Sequence, residues 1–171
     1  MTQQQKHQPQ AVGLIIATSR GQQNSVSASK ATQVLPASGG RLLTAIRQRW
    51  ETRQSLLQTF HVYKQVELTK SPDRCYFTNA PTLWNVNLAY GFGTAQEWLA
   101  YQITDLSEFS GARDKITDRQ LDQIIQLITD DYGFLNMAEI MLFCRRFKRG
   151  LYDKFYGSVD PIAIMQGLNE F

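Results

Sequence analysis

Two capped helical repeats in the last third of the chain constrain its fold more than any other feature. Leu121, Ile124, Ile125, Ile128 and Tyr132 recur at the three- and four-residue spacing of one helix face. Thr117 precedes them with Gln120 three positions on, which makes a capping box, and Asp118 falls in the first turn, where the helix dipole favours an acid. Asn136 and Glu139 repeat the arrangement ahead of Met137, Ile140, Phe143, Cys144 and Phe147, and Gly150 closes this second helix. Each helix must bury its apolar face against another element, so the pattern predicts an all-α fold.

The same spacing extends outward. From Arg41, the residues Leu43, Ile46, Trp50, Leu57 and Phe60 mark a helix of about twenty residues. Arg53 interrupts that stripe, which excludes a clean coiled-coil seam. Residues 69–80 read as a connection, because Ser71-Pro72-Asp73 is turn chemistry. Between Pro81 and Tyr90, Trp84, Val86 and Leu88 alternate with Asn85 and Asn87 as in a strand, while Pro81 in front and Gly91 behind are helix punctuation; the helix is the expectation. A further helix runs from Thr94 to about Phe109, with Ala95, Trp98, Leu99, Gln102, Leu106 and Phe109 on one side and Ser110-Gly111 closing it. Asp160-Pro161 starts a last helix, with Ile162, Met165 and Leu168 available to dock.

These elements make a small helical bundle of about five to six helices, a single domain over residues 39–171. A chain of 171 residues, 43% hydrophobic and 19% charged, buries such a core without borrowing stability from metals or disulfides. Residues 1–38 differ: they are rich in Gln, Ser, Thr and Ala and hold no acid, a composition that cannot offset the entropy of ordering. The expectation there is a disordered or loosely attached tail ending at the Gly39-Gly40 pair. Its one apolar run, Ala11 to Ala17, is short, interrupted by Gly13 and preceded by ten mostly polar residues, so neither a signal peptide nor a membrane span is expected, and the cytoplasm is the expected location.

Charge is distributed unevenly. Residues 1–70 carry nine Lys and Arg against two acids, 9 − 2 = +7, and residues 71–171 carry nine against thirteen, 9 − 13 = −4. A basic front half suits nucleic acid or an acidic protein surface, and serves equally to keep a chain soluble. Arg41, Arg47 and Arg49 flank Trp50 on a helix that either tracks a phosphate backbone or simply holds its arginines in water.

The chemistry of an enzyme is not written in these residues. There is no nucleophile elbow, no His-Glu metal motif and no Cys-His pair on neighbouring elements. Cys75 and Cys144 lie far from His7 and His61 and are expected to be buried thiols, with no metal and no cofactor. Gly91-Phe92-Gly93 lacks the third glycine of a dinucleotide fingerprint, since Gln96 stands there, and is expected to be a helix-to-helix turn. Asp105, Glu108, Asp130, Asp131 and Glu139 are expected to be exposed helix acids.

The densest mixture of cations and rings is the candidate interaction site: Arg145, Arg146, Lys148, Arg149, Tyr152, Phe155 and Tyr156. Its cations fall opposite the apolar face of their helix, where they either complement the helix end or face a ligand. At least one of the three aromatic residues is expected to pack on the preceding helix, so that Phe155→Ala or Tyr156→Ala lowers the melting temperature.

Asp105-Leu-Ser-Glu-Phe109, Lys115-Ile-Thr-Asp-Arg-Gln120, and Phe147-Lys-Arg-Gly-Leu-Tyr152 leading to Phe155-Tyr-Gly-Ser-Val-Asp-Pro161 carry a resemblance. Through them residues 81–171 resemble a group of uncharacterised small helical proteins of Bacteroides-type bacteria and their phages and mobile elements. Where that pattern often places a second Gly after the Tyr, this chain has Asp153. The resemblance implies a domain of unknown function in a mobile-element setting and assigns no catalytic residue. Two readings follow: a non-enzymatic protein-interaction adaptor, an accessory of phage or mobile-element replication, or a nucleic-acid-binding protein using the basic residues near Trp50 and in 145–154.

Overall fold

A computed structural model describes residues 37–152 and 154–171. The expectation of a loose tail concerns residues 1–36 almost entirely and lies outside the described residues. The fold is all-α, and among the described residues the only β pairings are the isolated bridges Thr82 with Asn136 and Asp114 with Ser158.

The first helix, α1 (Ala37–Arg49), runs through Gly39 and Gly40 instead of starting after them. Both glycines sit in its first turn, where a missing Cβ costs least cooperativity, and Thr44 Oγ1 donates to the Gly40 carbonyl at 2.9 Å. The expected helix of about twenty residues is broken. Thr52 leaves helical geometry at φ −126°, ψ 154° and accepts from Ser55 N, capping a separate α2 (Arg53–Thr59). A 3₁₀ turn, Val62–Lys64, leads into α3 (Gln65–Leu68). The segment expected as a plain connection holds α4 (Pro72–Tyr76), in which Pro72 opens a helix rather than a turn.

Helix α5 (Leu83–Tyr90) forms as expected, but its cap is Thr82, which accepts from Asn85 N, and Pro81 stands outside. The Pro81 carbonyl instead accepts from Met137 N at 3.1 Å, while Leu83 N and Trp84 N donate to Leu135 and Gly133. Helix α6 (Thr94–Phe109) follows a turn in which Gly91 and Gly93 take φ of 103° and 91°. Asn87 Oδ1 accepts from Ala95 N at 2.9 Å, so an amide at this helix start is already satisfied within the protein.

Helices α7 (Asp118–Tyr132) and α8 (Met137–Lys148) carry both expected capping boxes, and Asp160 caps α9 (Pro161–Glu170). Helix α8 is buried nearly all round, with Met137, Ala138, Ile140, Met141, Leu142, Phe143, Cys144 and Phe147 inside. A helix with that pattern belongs to a core rather than a surface, and α3, α4 and α6 pack on it. Two expected faces differ. Phe109, assigned to the packed side of α6, is exposed, and Ile103 is buried instead. On α9 the docked residues are Ala163, Ile164, Gly167 and Leu168, while Ile162 is 66% exposed. Gly167 explains the choice: a Cβ there would meet Phe147 and Tyr152 at 3.1–3.2 Å, so the small side of α9 allows close approach.

Both cysteines are buried free thiols. Burial raises Cys75 above its ordinary value and pushes Cys144 up to about 12. The thiolate, the reactive form, is therefore almost absent at neutral pH. A thiol reagent applied to the native protein should label neither residue within the time that labels both after denaturation; one rapidly reacting thiol would contradict the packing around α8.

Candidate functional site

The candidate residues 145–156 straddle the end of α8. Arg149 N and Gly150 N bond back to the last turn, Leu151 N donates to Arg146 O at 3.2 Å, and Gly150 takes φ 73°. This is a Schellman ending, which only glycine enters without strain.

The cations that end this helix are mostly engaged inside the protein. Arg145 donates to Val66 O at 3.2 Å and to Thr69 Oγ1 at 3.1 Å, fastening the end of α3. The Arg146 guanidinium lies 5.2 Å from the Phe171 ring centre and 5.9 Å from that of Tyr76, which are themselves stacked. Lys148 is ion-paired with Asp105, donates to Gln65 Oε1 at 3.0 Å, and sits 5.4 Å from the Phe109 ring. Gln65 passes the network on through Gln102 to the Phe60 carbonyl, which also accepts from Trp98 Nε1 at 2.8 Å. Arg149 alone of the four is exposed, with no side-chain partner among the described residues. Arg149 keeps the solvated position expected at a helix end, whereas Arg145, Arg146 and Lys148 are turned onto neighbouring elements. A buried helix turns its charged positions toward neighbouring elements and must satisfy them there.

The aromatic residues divide similarly. Tyr152 packs on Phe143 and Phe147, and Phe155 stacks on Phe147 with ring centres 5.1 Å apart. Tyr156 is 84% exposed. The expectation that Tyr156→Ala destabilises is corrected: its melting temperature should match the parent's. Phe155→Ala should cost about 2–3 kcal/mol, at or below the low end for a truncated aromatic because the ring is only half-buried. Thermal melts of the two variants check the pair. A hollow of about 370 Å³ brings together Lys148, Arg149 and Phe155 with Phe109 and Lys154. Arg145, Arg146, Tyr152 and Tyr156 do not line it.

The basic stretch near Trp50 is also partly absorbed. Trp50 is buried against Phe60, and Arg47 Nε donates to Ala89 O at 3.0 Å. Among the described residues, no three His, Cys, Asp or Glu side chains gather where they would hold a metal ion, and no helix is long and apolar enough to cross a membrane.

A surface that sequence periodicity missed lies between α7 and α9. Ile124 floors a groove of about 520 Å³ whose walls are Leu127, Pro161, Ile162 and Met165, with Gln120, Gln123 and Gln126 on the rim. Leu127 is 48% exposed and Ile162 66%. No charged side chain lines it. The signal for it was the mismatch on α9, which has more apolar residues than one docked face can use.

A family model, described as a family of unknown function (DUF6633), matches residues 115–171. That stretch contains α7, α8, α9 and both walls of the groove. No curated protein and no solved structure matches the chain.

Proposed function

We propose that the protein is a non-enzymatic adaptor that binds a partner protein through the groove between α7 and α9. The observation that carries the reading is that the exposed Leu127 of α7 and Ile162 of α9 line one mainly apolar cleft free of charged side chains, within the family-matched region. An apolar cleft between two helices suits the apolar face of a partner's amphipathic helix, held by anchors three and four residues apart. The glutamine rim supports it, since uncharged amides serve either a donor or an acceptor on the partner's flanks. We place this adaptor in the replication of a phage or other mobile element, on the strength of the resemblance of residues 81–171.

The alternative, nucleic-acid binding through the 145–154 cluster and the Trp50 helix, loses support because most of those cations already have partners inside the protein. Affinity isolation of the full chain from the cells that encode it, with nuclease treatment, separates the two. The adaptor reading expects a partner retained after nuclease and lost with Leu127→Glu/Ile162→Glu, a variant that changes only exposed positions. Retention of the partner by that variant, or a protein that holds only DNA or RNA with affinity falling steeply with salt, overturns it.

A further inference from the structure

A second groove, with different chemistry, crosses Trp50. It consists of hollows of about 460 and 520 Å³ that share Arg49, Trp50 and Thr78. The indole of Trp50 forms a floor that is 5% exposed, covered by the Arg49 guanidinium 4.8 Å from the ring centre. One end carries Lys70 and Arg74, so three cations, with Arg49, stand against the single carboxylate Glu67. Among the described residues none of the three makes an ion pair. The other end is lined by apolar Leu42 and Ile46 and by amides.

The segment Thr78 to Ala80 lines the second hollow, and Thr78 lines both. It is held on both sides, by Phe77 N donating to Asp73 O and by Pro81 O accepting from Met137 N, at 3.0 and 3.1 Å. Between these anchors the backbone of Thr78, Asn79 and Ala80 forms no hydrogen bond with any described residue. The chain bends at Thr78 and takes no regular structure at Asn79 and Ala80, so these N–H and C=O groups are open to a bound chain.

We propose that this groove binds an extended acidic peptide of a partner protein. Its backbone pairs with Thr78–Ala80, its carboxylates meet Arg49, Lys70 and Arg74, and alternate apolar side chains lie toward Leu42 and Ile46. The unpaired backbone and the surplus of cations favour a peptide. A single-stranded nucleic acid would need an open aromatic face on which to stack, and Trp50 is buried beneath Arg49. The site is independent of the α7–α9 groove, so an adaptor with both joins two partners.

Titration of the full chain with a fluorescent peptide alternating Glu and Leu, at physiological salt, tests the site. Binding should weaken at least about tenfold in Lys70→Gln/Arg74→Gln, and by a similar factor when the peptide's Glu residues become Gln. It should be unchanged in Leu127→Glu/Ile162→Glu, which separates this site from the proposed adaptor cleft. Amide exchange at Thr78, Asn79 and Ala80 should slow on peptide addition to the parent, a readout that needs no variant. No binding of the peptide, equal binding by the Lys70/Arg74 variant, unaltered exchange at those three amides, or tighter binding of a thymidine oligonucleotide at the same residues would each overturn the proposal.

Discussion

Gly133→Ala should destabilise the protein by about 3 kcal/mol, although the backbone there suits alanine. Gly133 has φ −61° and ψ −12°, so the substitution adds no torsional strain. The cost is steric. A Cβ would fall 1.9 Å from Trp84 Nε1, 2.2 Å from Trp84 Cδ1 and 2.4 Å from the Thr129 carbonyl oxygen. Trp84 Nε1 donates to that same carbonyl at 3.0 Å, and Trp84 N to Gly133 O, so the indole cannot swing away without losing the contact that joins α5 to the end of α7. Overpacking of this kind costs about 1–3 kcal/mol, and the lost hydrogen bond adds about 1. Urea unfolding should show the drop, and the effect should shrink on a Trp84→Ala background. A melt indistinguishable from the parent's would contradict the α5–α7 junction described above.

Lys148→Ala should cost about 3 kcal/mol, an effect out of proportion to a surface lysine. Side-chain exposure is 15% for Lys148 and 30% for Asp105, so the pair lies between an exposed bridge worth under about 1 kcal/mol and a fully buried one whose rupture costs about 3–5. The lower end of the second range applies because Gln65 Oε1 also loses its donor. Leaving one charge without its partner is the main penalty, so removing both should be gentler. Lys148→Met/Asp105→Leu should recover most of the loss, and added salt should change little in the parent because the pair is partly shielded from water. Full destabilisation in the double variant, or none in the single one, would show that Lys148 is not the tie between α8, α6 and α3.

The helices from α6 to α9 were legible because their signals are local. Thr117 with Gln120, Asn136 with Glu139 and Asp160 with Pro161 act within one turn and fix where α7, α8 and α9 begin. The break at Thr52 was not, since a lone threonine without Gly or Pro competes with an apolar stripe that continues through Leu57. Ser71-Pro72-Asp73 suits a turn and a helix start equally, and only the tertiary setting of Cys75, buried beneath α8, selects the helix. The roles of the 145–149 cations were beyond reach for a different reason. Arg145 meets Thr69 across 76 positions and Lys148 meets Asp105 across 43, and no periodicity encodes partners so distant. The α7–α9 cleft was hidden likewise: Ile162 reads as core by composition, and becomes surface because Ala163 and Gly167 let the opposite side of α9 approach Phe147 more closely.

Photo-crosslinking from single positions tests the adaptor surface most directly. A benzophenone amino acid placed in the full chain at Leu127 or Ile162 should join one and the same partner protein in the cells that encode it, with nuclease making no difference. The same probe at Tyr63 or Phe92, which are more exposed than either but outside the cleft, should not. Crosslinks to that partner from all four positions alike, or to nucleic acid from the cleft positions, would contradict the account.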